Sequence, residues 1–469
     1  MAQFSFELPT QWPSDPHALL ERAWIAGGYE GAPVPVRRRS DDRQLVLVRD
    51  EDESGSLSVP WPVRGEGRIV STSTLRVRTE PYKLALELAR GCVNRARNFF
   101  CALQSASIPM PANVRGDLAD ISRAFGRAAL ADDPSVRDAH AFVVVEAASL
   151  LADRLTGALT KFRIDARTAA KKPLPTLLGC RLSAPLAPAE SEEYARCFNA
   201  VRIVPNWKRI EREEANFNWS QLDPLIRWAS AAGLAISMGP LVDLSPDTVP
   251  EWILASTGDF PNLAALFTDF AGTLVARYRD RCRHWELFSG FNHRDALGLG
   301  EDDRLRLAAR LLETAHDVDP QAHWTFGLRQ PFGDYLLDPR LRYSPFGFAD
   351  TLLRTGFKIA ALELDLTPDT ERGCGLPRDP LDVLQLLELY DPLNCPLDIT
   401  FAAPLAGDSA MALATVETLI GSPSVRAIYW DSWSPDQPHA ATPDSFLVPG
   451  SVDRPALGWF QEARARWLR

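Results

Sequence analysis

Long apolar segments and a surplus of positive charge are both missing from this 469-residue sequence. Residues 1–10 include Glu7 and no apolar run long enough for a signal peptide or a membrane span, so we expect a cytoplasmic protein without a membrane partner. The formal net charge of -10 argues against a nucleic-acid partner, because phosphate binding requires excess Lys and Arg on one face. The only notable basic run, Arg37, Arg38 and Arg39, is interpreted as a solvated loop or strand edge.

Cysteine is scarce and irregularly spaced. The seven cysteines, an odd number, form no C-x-x-C pair and no spacing typical of zinc or of a disulfide framework, which indicates free thiols in a reducing compartment. His284 and His323 lie in predicted strands, but no H-E-x-x-H or comparable spacing supplies further metal ligands. The motifs G-x-S-x-G, G-x-x-x-x-G-K-S/T and G-x-G-x-x-G are absent as well. We therefore expect neither a metal nor a cofactor.

The first 172 residues divide into a β-rich part and a helical part. Residues 34–79 alternate short apolar runs with Gly, Asp and Ser clusters, which predicts antiparallel strands within a β unit at 1–80. Apolar residues then recur at helical spacing from Leu84 to Leu103 and again over 136–167, which predicts a helical segment at 81–172. The two prolines of 171–175 indicate a junction with the next domain.

The N-terminal β unit is interpreted as a lid or packing domain. Its aromatic residues suited to stacking on sugars have no diagnostic spacing for a carbohydrate-binding module; they are Trp12, Trp24, Tyr29 and Trp61.

Beyond Pro175, strand-like runs alternate with helical stretches. Eight such runs are present, at 176–182, 199–204, 234–239, 284–289, 323–328, 358–366, 396–402 and 426–431. The alternation is typical of a parallel barrel, because each buried strand is followed by a helix that returns the chain to the start of the next strand. The sequence therefore predicts an α/β fold, a (β/α)8 TIM barrel over 173–469, preceded by the small β unit and long helices.

Several segments of this predicted barrel resemble glycoside hydrolase family 10, the endo-β-1,4-xylanase-type barrels. Residues 198–244 resemble the family's second and third strands, and residues 270–292 resemble the helix and fourth strand that end in its Asn-Glu. The motif IYWDSW at 428–433 and the segment 450–460 resemble the eighth strand and the closing helix. The resemblance covers about 176–469 and implies a β-glycan or oligosaccharide as ligand.

The two catalytic carboxylates implied by the resemblance are missing. Ser289 and Gly290 stand where the Asn-Glu with the general acid/base would be. The motif ALELDL at 361–366 is similar to the family's nucleophile strand, but a helix and a further strand lie between Glu363 and the eighth strand. Glu363 is therefore assigned to strand six, and the nucleophile position falls at Thr400 or Phe401, neither of which can act as a carboxylate.

The sugar-binding positions implied by the resemblance are depleted too. At the positions of the family's Glu-Asn, Lys-Trp and Gly-His pairs, this sequence has Pro205-Asn206, Trp207-Lys208 and Gly239-Pro240. Asn206, Lys208 and Trp430 remain as counterparts. Trp430 and Trp433 are candidates for stacking on a sugar, although barrels also pack tryptophan simply as filler.

Four other carboxylates could approach the carboxyl ends of the strands and are candidates for a relocated catalytic group. Asp243 follows strand three, Glu363 and Asp365 lie on strand six, and Asp431 ends strand eight. Glu363 and Asp365 are two residues apart and share a face of their strand, which would raise the pKa of one of them. The alternative is that one of them forms a structural ion pair with an interior Arg or Lys. Glu286 lies deeper on the fourth strand and is predicted to be a buried structural partner.

Three functions remain open at this point. The first is a catalytically degenerate barrel of the family-10 type that binds a carbohydrate or a protein partner. The second is an active O-glycosyl hydrolase on β-glycans with relocated carboxylates, for which a carboxyl pair about 5 Å apart in an open cleft would speak. The third is a structural or assembly protein.

Overall fold

The computed structural model describes residues 1–10, 12, 16–170, 172–293, 297–367, 378–402, 410–433 and 455–468. The chain divides into two compact units. Unit 1 comprises Met1–Ala166, Phe332–Arg342 and Pro368–Gln385, and unit 2 comprises Arg167–Pro331, Tyr343–Thr367 and Leu386–Arg469. Among the described residues, no helix is both long enough and apolar enough to cross a membrane.

Eight strands in unit 1, numbered β1–β8, are Ala2–Glu7, Trp24–Gly27, Ala32–Val34, Arg37–Ser40, Gln44–Arg49, Ser56–Val63, Glu66–Ser71 and Tyr82–Lys83. They form two four-stranded sheets, ordered β4-β5-β1-β8 and β3-β2-β6-β7. All pairings are antiparallel except that of β1 with β8, which confirms the predicted β unit. Arg37, Arg38 and Arg39 lie in β4, which is exposed along its length and has β5 as its neighbour.

Four helices follow the same numbering, α1–α4: Pro16–Glu21, Leu84–Ser105, Val114–Leu130 and Pro134–Thr168. Helices α2 and α4 lie where helical periodicity predicts them, whereas α3 was not predicted. Its buried residues, Val114, Ile121 and Ala128, are seven apart, and Leu118 and Phe125 between them also pack against the core, so the helix has an apolar stripe at helical spacing that would have predicted it.

Helix α2 packs closely on the second sheet of unit 1. A Cβ on Gly91 would overlap the carbonyl oxygen of Ser71 and lie 2.8 Å from the backbone of Thr72. Buried apolar residues of β1, β5, β6, α2 and α4 form one core cluster here, and Leu381 and Leu384 belong to it. Arg95 of α2 also holds the segment that contains these two leucines, since it donates to Asp379 at 2.6 and 2.7 Å.

Nine strands in unit 2, β9–β17, are Leu177–Leu182, Ala200–Ile203, Ala235–Met238, Val242–Asp243, His284–Ser289, His323–Arg329, Ala361–Asp365, Leu397–Phe401 and Val425–Trp430. Their order is β11-β10-β9-β17-β16-β15-β14-β13-β12, and β11 also pairs with β13. Because every pairing is parallel and β17 pairs with β9, the sheet closes. The two-residue strand β12 extends along β13, and the other eight strands confirm the predicted (β/α)8 barrel.

The helices numbered α5–α13 are Pro188–Cys197, Trp207–Ile210, Leu222–Ala231, Phe260–Tyr278, Glu301–Val318, Pro345–Leu353, Pro380–Tyr390, Ala410–Gly421 and Pro455–Trp467. Helix α11 starts in a segment of unit 1 and ends in unit 2. Side chains alternate between the two faces of each barrel strand. Apolar residues such as Val201 and Trp285 therefore face the helices, and the residues between them face the interior, where the charged groups lie.

Candidate functional site in the barrel

The interior of the barrel is centred on Arg202. This inward-facing residue of β10 has a side chain that is 1% exposed, and its guanidinium donates to Glu286 of β13 at 2.6 Å and to Glu363 of β15 at 2.7 Å. It also lies over the ring of Tyr429 at 4.1 Å. One guanidinium thus joins carboxylates from strands four and six of the barrel in place of an apolar filling.

Glu363 has a second partner on the neighbouring strand. Thr400 of β16 faces the interior and donates its hydroxyl proton to Oε1 of Glu363. Phe401 faces the other way and packs its ring 5.2 Å from that of Trp430. Of the two residues assigned to the family's nucleophile position, Thr400 is the one that faces the interior, and it holds Glu363 in place.

Burial determines the protonation of these carboxyl groups. Desolvation raises the pKa of Glu286 to about 8, although Arg202 opposes the shift, and Glu363 adds to it. Desolvation also raises the pKa of Glu363, again against Arg202. Since two carboxylates share one guanidinium, a proton on Glu286 at neutral pH removes the excess negative charge from the interior.

The raised pKa of Glu286 predicts how stability depends on pH. An acid whose folded-state pKa of about 8 exceeds its unfolded value contributes stability fully below the unfolded pKa, near 4.3, and loses it as pH rises through the folded pKa. We expect Glu286→Gln, which keeps an acceptor for Arg202, to gain stability relative to the unsubstituted protein as pH rises from about 5 to 8. Urea unfolding at several pH values measures this difference.

Asp338→Asn is the matched control for this experiment. Hydrogen bonds from Arg340 lower the pKa of Asp338 to about 2, so its charge is constant between pH 5 and 9. The stability of Glu286→Gln relative to the unsubstituted protein should therefore change more with pH than that of the control. An equally small change for both variants would contradict the assignment of a proton to Glu286.

A second charged group lies at the carboxyl ends of the strands. Arg329, the last residue of β14, donates to Asp243 of β12 at 2.6 Å, and its Nε lies 3.5 Å from Asp365 of β15. Asp243 also accepts the backbone N–H of Ser245 at 3.0 Å. The structure therefore brings Asp243 and Asp365 together, but on opposite sides of a cation.

Gly290 lies beside the side chain of Arg329. Its φ is 74°, and a Cβ there would lie 3.2 Å from Cδ of Arg329. An L side chain at this position would be strained by the backbone and crowded by the arginine. The position that the resemblance assigns to the acid/base is thus filled by the aliphatic part of an arginine from the next strand.

Asp431 has its own arginine. Arg181 of β9 donates to it at 2.7 Å. Desolvation raises the pKa of Asp365, whereas Arg329 and Arg181 lower it and Asp431 raises it further. Asp365 therefore interacts with both arginines, and these side chains form one charged group, which we call the mouth cluster: Arg181, Asp243, Arg329, Asp365 and Asp431.

Asn206 and Lys208 are both engaged with neighbouring residues. The side chain of Asn206 accepts the N–H of Arg209 at 3.2 Å, as the N-cap of α6, and donates to the carbonyl of Asp247 at 3.3 Å. Lys208 pairs with Glu251 at 3.1 Å. These two candidates for sugar binding lie after β10, and both contact the segment that follows β12.

Trp430 and Trp433 are buried in the helical layer. Because Tyr429 faces the interior, Trp430 faces outwards, where its ring lies 5.9 Å from that of Phe460 in α13. Trp433 packs 5.2 Å from Tyr194 of α5. Neither indole is more than 2% exposed, so in this structure both rings pack as part of the core.

Sequence reasoning did not identify the three arginines that hold the carboxylates. A signal for two of them is present: Arg181 and Arg202 each occur inside a short apolar strand, and a charge there requires a buried partner. Which carboxylate each arginine meets depends on barrel closure, because Arg202 lies two strands away from Glu286 and farther from Glu363 along the sheet.

The histidines and cysteines do not form a metal site in the described part of the chain. No group of three His, Cys, Asp or Glu residues there is arranged to hold an ion. The rings of His284 and His323 stack at 4.9 Å, and desolvation lowers the pKa of His284 to about 4. The six cysteines of the described ranges are free thiols, and Cys374 lies outside those ranges.

The closed parallel sheet and its surrounding helices define this part of the chain as a (β/α)8 barrel, with arginine–carboxylate pairs in its interior and at its mouth. No family model matches the sequence. Endo-1,4-beta-xylanase A of Fusarium oxysporum f. sp. lycopersici is 27% identical over 81 residues, which are 17% of this chain and 24% of that protein. The chain thus spans about a quarter of the length of this curated relative.

Solved xylanase structures are similar to the barrel in fold. Xylanase 10B from Thermotoga petrophila RKU-1, in complex with xylobiose, has 15% identity and a TM-score of 0.44 over 57% of this chain and 84% of its own. XynB from Paenibacillus barcinonensis has 15% identity and a TM-score of 0.42 over 58% and 87%. The family-10 xylanase of Thermobacillus composti has 16% identity and a TM-score of 0.41 over 55% and 84%. The (β/α)8 architecture of this chain is established by the closure of its own strands.

Proposed function

We propose that this protein is a glycoside-hydrolase-family-10-like barrel that does not hydrolyse glycosides and that binds a carbohydrate at the carboxyl ends of its strands. One observation supports the loss of hydrolysis: each of the four candidate carboxylates is ion-paired with an arginine, Asp243 and Asp365 with Arg329, Glu363 with Arg202, and Asp431 with Arg181. Glycoside hydrolysis requires one carboxyl group that protonates the leaving oxygen and one that attacks or activates water.

The ion pairs oppose the second of these roles. The lone pairs of a carboxylate that accepts from a guanidinium are engaged in hydrogen bonds, so such a carboxylate is a poor nucleophile. Glu286 and Glu363 keep raised pKa values, but both side chains are almost fully buried around Arg202, where an anomeric carbon has no access.

The mouth cluster is suited to a neutral sugar. Guanidinium groups donate to sugar hydroxyls, and carboxylates accept from them, so alternating Arg and Asp side chains match neighbouring hydroxyls of one ring. The cluster contains three carboxylates and two guanidinium groups, and this excess of negative charge disfavours an anionic ligand. A protein partner is the other ligand class compatible with a barrel that has lost catalysis.

Hydrolysis assays test the proposal. We expect no turnover of aryl β-glycosides or β-1,4-glycans above that of Glu363→Gln and Asp431→Asn variants prepared in the same way, because the unsubstituted protein already lacks a free catalytic pair. The same glycans, titrated by calorimetry, are expected to include a binder among the neutral ones.

Turnover that disappears in either variant would overturn the proposal and identify an active hydrolase with relocated carboxylates. Absence of binding to every glycan would reject the carbohydrate as ligand and favour a protein partner or an assembly role.

A further inference from the structure

A cavity of about 440 Å³ lies in unit 1, where the chain turns from α2 into α3. Its apolar lining comes from the end of α2, the connecting loop and the start of α3: Phe100, Ile108, Met110, Pro111 and Val114. Phe100 and Val114 belong to the core cluster of this unit, and the half-buried Ile108 and Met110 pack against that cluster. The lining is therefore continuous with the core, and the volume is within the range of about 300–1,000 Å³ that is usual for small-molecule sites.

The loop that borders the cavity is held in place on both sides. Pro109 and Pro111 lack the backbone N–H that would continue α2, so the chain leaves the helix here. Arg154 of α4 donates to the carbonyl of Ala112 at 3.2 Å and to Asp117 of α3 at 2.6 Å. Because one arginine ties both the loop and the first turn of α3 to α4, the cavity is present before any ligand binds.

The lining carries one positive charge and no negative one. Arg115, the second residue of α3, is exposed and forms no ion pair or hydrogen bond with any residue that the structure describes. Among the described residues that line the cavity, none is acidic. Asp117 lies one turn away from the start of the helix but is paired with Arg154. An available guanidinium at the edge of an apolar surface favours a ligand with an anionic head and an apolar body.

The first turn of α3 adds to this positive potential. Asn113 has a φ of 65° and its side chain does not cap the helix, so the N–H groups of Val114, Arg115 and Gly116 have no acceptor among the described residues. The partial positive charge of a helix is concentrated in these groups. A Cβ on Gly116 would meet nothing within 4 Å, so the space beside them is open.

We propose that this cavity binds a small carboxylic acid with an apolar chain, with the carboxylate at Arg115 and the chain against Phe100, Ile108 and Met110. A guanidinium and a carboxylate form two parallel hydrogen bonds, which fixes the head group. Methionine is unbranched and polarisable, so Met110 can adapt to the chain. This ligand is independent of the carbohydrate, since the cavity belongs to unit 1 and every residue of the mouth cluster belongs to unit 2.

Calorimetry on the full-length protein with octanoate, octanol and octyltrimethylammonium tests the site. The three probes share one alkyl chain and differ in the charge of the head group. We expect one octanoate to bind per chain, octanol to bind about tenfold more weakly, and the cation to bind more weakly still, because only the carboxylate pairs with Arg115.

Arg115→Gln removes the charge but keeps a polar side chain. It is expected to weaken octanoate binding about tenfold and to leave octanol binding unchanged, so that the two probes bind alike. Arg123→Gln is the matched control, because Arg123 is an exposed arginine of the same helix that lies about two turns later and pairs with Asp120. Its affinity for octanoate should equal that of the unsubstituted protein.

Met110→Asp tests the apolar part of the cavity. It places a carboxylate where the chain of the ligand would lie, so it should abolish octanoate binding in protein whose circular dichroism is unchanged. Met110→Leu conserves the volume and the apolar character of the side chain, and it should retain the affinity within about twofold.

Three results would overturn the site. Equal octanoate affinity of Arg115→Gln and the unsubstituted protein, or equal affinity for octanoate and octanol, would show that no carboxylate is recognised there. Octanoate binding that survives Met110→Asp would place the ligand elsewhere on the protein. Absence of octanoate binding at millimolar concentration would mean that the cavity holds only water.

Discussion

Arg202→Ala is expected to lower the free energy of unfolding of the barrel by about 3–5 kcal/mol, the range typical for removing one partner of a buried ion pair. The substitution leaves Glu286 and Glu363 facing each other without the guanidinium that donates to both at 2.6 and 2.7 Å. Neither carboxyl group can reach water, because both side chains are at most 3% exposed. Urea unfolding followed by tryptophan fluorescence and circular dichroism measures the loss.

The size of this loss should depend on pH. At low pH both glutamates of the variant are protonated and the repulsion between them disappears, so the defect of Arg202→Ala is smaller at pH 5 than at pH 8. The exposed pair between Arg354 and Asp350 provides the control, because the side chain of Arg354 is 77% exposed and its ion pair is screened by water. We expect Arg354→Ala to unfold like the unsubstituted protein. Equal stability of Arg202→Ala and Arg354→Ala would refute the structural role of the buried triad.

Gly91→Ala is expected to destabilise unit 1 by about 3 kcal/mol, at the upper end of the cost of overpacking. The added methyl group would overlap the carbonyl oxygen of Ser71 and crowd the backbone of Thr72 at 2.8 Å, and neither is a flexible side chain. Relief therefore requires α2 to move away from β7, which opens the core cluster along the helix. Thermal unfolding monitored by circular dichroism measures the change.

Gly126→Ala is the matched control for this substitution. Gly126 is also a helical glycine, in α3, but a Cβ there meets nothing within 4 Å. Alanine favours the helix over glycine, so this variant should gain about 0.5–1 kcal/mol. If Gly91→Ala were stabilising to the same extent, α2 and β7 would have to be farther apart than the structure places them.

The strands and most helices were predictable because their signals are local. Each barrel strand is a short apolar run followed by a helical stretch, and the eight predicted runs all contain the observed strands or overlap them closely. Helix α3 was missed although its apolar residues also recur at helical spacing, among them Leu118 and Phe125. The segment Phe332–Arg342 and residues 378–385 lie within the range predicted for the barrel, yet they fold with unit 1. No local pattern marks such a segment, because its partners, such as Arg95 for Asp379, are far away in the sequence.

The candidate site was predictable only in part, and Trp430 shows why. Its position at the end of the eighth strand follows from the sequence, but which face it occupies depends on the pleat of the strand. Tyr429 takes the interior position beside Arg202, so Trp430 lies among the helices. A shift of one residue would have exchanged the two side chains.

The sequence by itself determined the order of strands and helices, the absence of a carboxylate at Gly290 and at Thr400 or Phe401, and the positions of four other acidic residues near strand ends. Only the tertiary structure decided that Asp243, Glu363, Asp365 and Asp431 are each paired with an arginine. The physical reason is that periodicity is a property of neighbours along the chain. Charge compensation in a barrel joins residues from strands that meet only when the sheet closes.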